Sequence, residues 1–196
     1  MTKSDNADLD VVWNTPNVLT MARLVMVPVF IVLTWYGFYG STSSHWAALI
    51  VFIVAAATDH LDGKIARARG LVTNFGKIWD PIADKALTLG AFVVLSLVGM
   101  LGWWFTVIVA ARELGITWLR SHLLKDGIVV PASFAGKAKT TAQMVLIVFL
   151  LFPFSGGVWE NTALAVVAWI LIAIALWLTL HSAWGYIVGA LKRPQR

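Results

Sequence analysis

Long apolar runs constrain this chain more than any other feature. A helix crossing the hydrocarbon core of a bilayer needs about 20 mostly apolar residues. Stretches of that character run from Leu19 to Phe38, Ile82 to Leu101, Trp103 to Leu124, Ala138 to Phe154 and Thr162 to Ile187. A further run, Trp46 to Thr58, reaches the same length only if its helix continues into the charged residues after Thr58. The chain is 59% hydrophobic and 13% charged, with a mean hydropathy of +0.79, whereas a soluble domain is roughly half apolar and one quarter charged. The expected fold is therefore an all-α integral membrane protein of six transmembrane helices. The eleven Trp and ten Phe suit helix ends at membrane interfaces.

Basic residues supply the orientation, because loops rich in Lys and Arg stay on the cytoplasmic side. Lys3 precedes the first run, and Lys64, Arg67, Arg69 and Lys77 lie between the second and third. Arg120, Lys125, Lys137 and Lys139 surround the fourth-to-fifth connection, and Lys192, Arg193 and Arg196 follow the sixth run. The alternate connections, Gly37 to His45, Gly99 to Gly102 and Pro153 to Asn161, contain neither Lys nor Arg. That alternation requires an even number of spans and predicts cytoplasmic N- and C-termini.

The same distribution accounts for the net charge of +5. Cations interleaved with spans follow from topology and from anionic headgroups, so nucleic acid is not an expected partner. The absence of Cys excludes disulfides, thiolate nucleophiles and Cys-zinc sites. The first 16 residues are polar and acidic, with Asp5, Asp8 and Asp10, unlike a cleavable signal peptide. Residues 1–10 are expected to form a flexible tail, and Val11 to Trp13 to begin a helix lying along the interface. No polar linker or fixed-period repeat divides the chain, so residues 1–196 are read as one membrane domain. Turn formers mark breaks at Gly37 to Ser44, Gly70 to Gly76, Lys125 to Gly136 and Pro153 to Gly157.

Four of the ten acidic residues fall within the segment Asp59 to Asp84, DHLDGKIARARGLVTNFGKIWDPIAD. On helices, Asp59 and Asp62 are three residues apart and Asp80 and Asp84 four apart, so each pair shares a face. Two helices joined by the Gly70 to Gly76 turn can point all four at one volume. An acidic side chain at the centre of a membrane helix costs about 2.5 to 3.5 kcal/mol, and the four repel one another, so bound positive charge is required. With His60 off the Asp59 and Asp62 face, the donors are oxygens only, which favours Mg2+ or Mn2+. Carboxylates shared between two helices suit a pair of ions that clamps a diphosphate. The competing reading pairs these carboxylates with Lys64, Arg67, Arg69, Lys77 and Lys85 as solvated loop charges. Gly63 and Gly76 allow either close approach of a nucleotide or close helix packing. Arg67 suits diphosphate oxygens, or is a topological charge. Pro81 is read as a kink or a first-turn residue.

Written as spacing, Asp59-x2-Asp62-Gly63-x2-Ala66-Arg67-x8-Gly76-x3-Asp80-x3-Asp84 matches the signature of the CDP-alcohol phosphatidyltransferases at every fixed position. The chain resembles that family in length and six-helix layout as well. The resemblance implies attack of an alcohol oxygen on the β-phosphorus of a CDP-linked lipid, CDP-diacylglycerol, with CMP leaving. It implies Asp59, Asp62 and Asp80 as metal ligands and Asp84 as ligand and catalytic general base, around two Mg2+ or Mn2+ ions. Asp62, Gly63, Ala66, Arg67 and Gly76 then line the CDP site. It also implies a homodimer in a bacterial plasma membrane, with the active site facing the cytoplasm.

Asn14-Thr15-Pro16-Asn17-x-Leu19-Thr20-x2-Arg23, Arg112-Glu113, Arg120 and Gly136-Lys137-x-Lys139-Thr140 resemble the bacterial members whose acceptor is glycerol 3-phosphate. An anionic acceptor requires cations beyond the metal site, and Arg112, Arg120, Lys137 and Lys139 supply them. Each has a plainer reading: Arg112 and Glu113 as an ion pair stabilising the bundle, the others as topological charges. Phosphatidylglycerol and inositol phosphate are the alternative acceptors. A cation or proton transporter is the competing class, motivated by the intramembrane carboxylates and Arg112, but paired broken helices and inverted repeats are not found.

Overall fold

A computed structural model of the chain describes residues 15–69, 74–125 and 134–191. Within these, the side chains of residues 15–20, 59–69, 74–81, 84, 124, 125, 190 and 191 fall outside the description. The described residues are helical, with six helices: α1 (Thr15–Phe38), α2 (Thr42–Arg69), α3 (Asn74–Leu97), α4 (Trp103–Lys125), α5 (Phe134–Leu151) and α6 (Thr162–Leu191). The expected tail and interfacial segment, residues 1–13, lie outside the described residues.

Among the described residues, three windows are long and apolar enough to cross a bilayer: Met21–Phe38, Phe134–Leu151 and Thr162–Gly189. Thr42–Thr58 and Lys85–Leu97 are shorter apolar stretches. The outward faces are apolar too. On α6, Trp169, Ile170 and Trp177 are more than half exposed, a surface that suits lipid and disfavours water. The protein is an all-α membrane protein.

Local sequence chemistry sets the helix ends. Gly40, at φ 130°, follows α1, where Ser41 N–H donates to Tyr36 O at 3.1 Å. Ser41 then caps α2 by accepting from Ser44 N–H at 3.2 Å. After α3, Met100 N–H donates to Leu95 O at 2.9 Å and Gly99 N–H to Ser96 O at 3.2 Å. With Gly99 at φ 78°, this is a Schellman motif, in which a left-handed residue closes the last turn and satisfies otherwise unpaired carbonyls. Asn161 Oδ1 caps α6, accepting from Ala163 N–H at 3.0 Å and Leu164 N–H at 3.2 Å.

These ends correct two expected boundaries. The third helix begins at Asn74 rather than Ile82 and ends at Leu97 rather than Leu101, because a helix propagates through polar turns that hydropathy discounts and stops at Gly99. The fifth runs Phe134–Leu151 rather than Ala138 to Phe154, since the residue before Pro153 is driven out of helical backbone. Pro81 lies inside α3, beyond its first turn.

The chain divides into two compact units, Met1–Ala91 and Phe92–Arg196. In the first, α1 packs on α2 through Phe30 and Phe52, whose ring centroids are 5.5 Å apart. Gly37 permits this crossing, because a Cβ there would stand 2.7 Å from His45 Cα. A Cβ on Gly90 of α3 would meet Val27 and Ile31 of α1 at 3.4 and 3.5 Å. In the second unit, α6 packs against both α4 and α5, around Phe105, Val109, Leu146, Leu150, Ala168 and Ala175. Small and hydroxyl residues are the usual means of close packing where lipid removes the hydrophobic drive between helices.

Candidate active site

The helix after Trp46 continues past Thr58: α2 runs unbroken for 28 residues to Arg69. Thr58 keeps its hydroxyl on the helix, donating to Val54 O at 2.7 Å. Asp59 and Asp62 therefore lie on the last turns of α2, and Asp80 and Asp84 on the first turns of α3. Both pairs have the helical spacing that places side chains on adjacent turns. The side chains of these four residues, like those of Ala66 and Arg67, lie outside the described residues, as do the surroundings of Gly63 and Gly76. Among the described residues no cluster of three or more His, Asp or Glu suits a metal. The donor set of the sequence, four carboxylates without sulfur, fits a hard divalent cation.

The cations assigned to an acceptor phosphate lie in the second unit, and their side chains are described. Arg112 and Lys139 converge on one carboxylate. Arg112 Nη1 donates to Glu113 Oε1 at 3.0 Å and Lys139 Nζ donates to the same oxygen at 2.5 Å. Arg112 Nη2 donates to Ser182 Oγ on α6 at 2.8 Å. The three charged side chains are 8 to 12% exposed, so this is a buried ionic cluster linking α4, α5 and α6. Ser182 Oγ in turn donates to Thr179 O at 3.0 Å. One turn along α5 from Lys139, Gln143 donates to Thr179 Oγ1 at 3.0 Å. Arg120 on α4 and Lys137 on α5 are exposed, outside this cluster.

Ser182, Thr179 and Gln143 carry no signal of function in the sequence, where each reads as a solitary polar residue in an apolar run. Their spacing is the available clue: Thr179 and Ser182 share a face of α6, and Lys139 and Gln143 a face of α5. Arg23 of α1 is 1% exposed. Its signal is a cation within an apolar segment, which marks intramembrane sites in general. The groove of about 390 Å³ along α5, lined by Met144, Val145, Val148, Phe149, Phe152 and Phe154, offers no polar group for chemistry.

Comparison with known proteins bears on the whole chain. The family model described as CDP-alcohol phosphatidyltransferase matches residues 13–181. A Mycobacterium tuberculosis protein named probable phosphatidylglycerophosphate synthase is 42% identical over 179 residues, 91% of this chain and 82% of the relative. A Bacillus subtilis protein named CDP-diacylglycerol--glycerol-3-phosphate 3-phosphatidyltransferase is 35% identical, covering 89% of this chain and 93% of its own length. An Escherichia coli K12 protein of the same name is 37% identical, covering 84% and 90%. With the full eight-residue signature on α2 and α3 and a family match across nearly all six helices, the chain belongs to the CDP-alcohol phosphatidyltransferase family and is an enzyme of that class.

Proposed function

We propose that this enzyme transfers the phosphatidyl group of CDP-diacylglycerol to glycerol 3-phosphate, giving phosphatidylglycerophosphate and CMP. The observation that carries the reading is the unbroken signature Asp59 to Asp84, set in a chain whose relatives named for this reaction match it nearly end to end. The acceptor hydroxyl oxygen forms a bond to the β-phosphorus as the bond from that phosphorus to the CMP oxygen breaks. Asp84 takes the hydroxyl proton, which keeps the nucleophile from becoming a charged oxonium. Asp59, Asp62, Asp80 and Asp84 hold Mg2+ or Mn2+. Two such ions, when bound, neutralise the diphosphate and the departing CMP. Asp62, Gly63, Ala66, Arg67 and Gly76 form the CDP site, where Arg67 meets diphosphate oxygens and the glycines admit the nucleotide to the backbone. Arg112, Arg120, Lys137 and Lys139 supply positive charge for the acceptor's phosphate.

The alternating basic loops support six spans with both termini in the cytoplasm and the reaction at the inner face of a bacterial plasma membrane. The active form is a homodimer. The test is release of CMP by purified protein given CDP-diacylglycerol, Mg2+ and one acceptor at a time. Glycerol 3-phosphate is expected to stimulate release strongly, with phosphatidylglycerol and inositol phosphate near background. Stimulation by another acceptor alone refutes this choice of substrate, and ion flux in proteoliposomes without CMP formation refutes the enzyme.

A further inference from the structure

We propose that α4 is a conditional span: α5 and α6 hold it across the bilayer through Lys139 and Ser182, and its own apolar surface does not suffice. The inference is independent of the acceptor and rests on the membrane orientation proposed above. Among the described residues, α5 and α6 each contain a window long and apolar enough to cross a bilayer, whereas α4 contains none. Arg112 and Glu113 interrupt α4 at its centre, as the tenth and eleventh of its 23 residues. They lie about 14 Å from one end of the helix and about 18 Å from the other. In a helix that crosses the bilayer, neither side chain reaches the headgroups, and charge at that depth is among the costliest groups to insert.

The two charges relieve one another only in part. Adjacent helical residues do not face each other, so the bond from Arg112 Nη1 to Glu113 Oε1 leaves further donors and lone pairs of both ions to be met. Lipid offers no partner for them. The partners come from the other two helices: Lys139 Nζ donates to Glu113 and Arg112 Nη2 donates to Ser182 Oγ. They are also made later, Lys139 lying 26 residues after Glu113 and Ser182 lying 70 after Arg112. One turn from Lys139, Gln143 of α5 donates to Thr179 of α6, and Ser182 is one turn beyond Thr179. The bond that joins α5 to α6 therefore sets in place the two side chains that receive α4.

The test is accessibility in the full-length chain. The protein has no Cys, so Ser121→Cys places a single thiol at an exposed position near the C-terminal end of α4. In membrane vesicles of each orientation, a membrane-impermeant maleimide is expected to label this thiol from the cytoplasmic side only. Lys139→Leu is expected to raise labelling from the outer side at least about tenfold, and Ser182→Ala about threefold. Lys139 has a further interaction besides Glu113, so the control is the triple variant Arg112→Leu/Glu113→Leu/Lys139→Leu, which loses that interaction too but makes α4 apolar. It is expected to label as the unsubstituted α4 does. Should Lys139→Leu not accumulate, the triple variant decides: accumulation with cytoplasmic labelling supports the inference, and failure to accumulate overturns it. Unchanged labelling in Lys139→Leu, or an equal rise in the triple variant, also overturns it. Outer-side labelling of the chain carrying Ser121→Cys alone contradicts the orientation itself, whereas cytoplasmic labelling that Lys139→Leu leaves unmoved overturns the conditional span alone.

Discussion

Asp84→Asn exchanges an anionic oxygen for a neutral amide of the same size, which separates the two tasks proposed for this residue. Proton transfer is lost, while Asp59, Asp62 and Asp80 remain to hold metal and the CDP moiety. General-base catalysis is typically worth about 10²- to 10⁴-fold. Turnover is therefore expected to fall by that order, with CDP-lipid binding largely kept; Asp59→Asn is expected to lose binding as well. Single-turnover CMP release and equilibrium binding of CDP-diacylglycerol to both variants check this, and equal loss of binding in the two would contradict the division of roles. The same residue-scale reasoning separates the cations. Exposed Arg120 and Lys137 are screened by water and ions, so one hydrogen bond fewer matters little there. Arg112 and Lys139, buried on Glu113, are in surroundings where each charge and donor has large consequences.

At the scale of the element, helix ends decide more than helix interiors. Asn161 Oδ1 satisfies two N–H groups at the start of α6, and loss of such a cap typically costs about 1 kcal/mol. Asn161→Ala is therefore expected to lower the thermal unfolding midpoint of the detergent-solubilised protein, with the KM for both substrates unchanged. An unchanged midpoint would mean that the lipid-facing packing of α6 outweighs its cap. Each of the six apolar runs falls on a helix, but hydropathy misplaced ends set by single residues. Gly99 closes α3 through its left-handed backbone, and an apolar run reads straight through it to Leu101. The apolar run begins only at Ile82, yet α3 begins at Asn74, because the polar turns that carry Asp80 are helical without being apolar. The signature residues were legible for the opposite reason: carboxylates in an apolar setting need a compensating partner, and their spacing shows helical pairing.

For the molecule as a whole, the alternation of connections with and without Lys or Arg predicts an orientation, which the apolar runs alone do not. Among the described residues, three windows meet the length and apolarity of a span outright. The second run meets the length only by continuing into its acidic end, which is what α2 does. Chemistry and topology are thus written in the same residues: charge that disfavours burial in α2 and α3 is the charge proposed to bind the ions. The cluster of Arg112, Glu113, Lys139 and Ser182 was only half readable. Sequence suggested that Arg112 and Glu113 pair, but the arrival of Lys139 from α5 and Ser182 from α6 depends on packing between distant segments.

The most direct measurement is CMP release from CDP-diacylglycerol and glycerol 3-phosphate by purified enzyme, before and after removal of divalent cations with a chelator. The expected result is loss of turnover to background and its recovery when Mg2+ or Mn2+ is added in excess of the chelator. Full turnover in the chelated protein would contradict the assignment of the four aspartates as metal ligands, and with it the proposed chemistry.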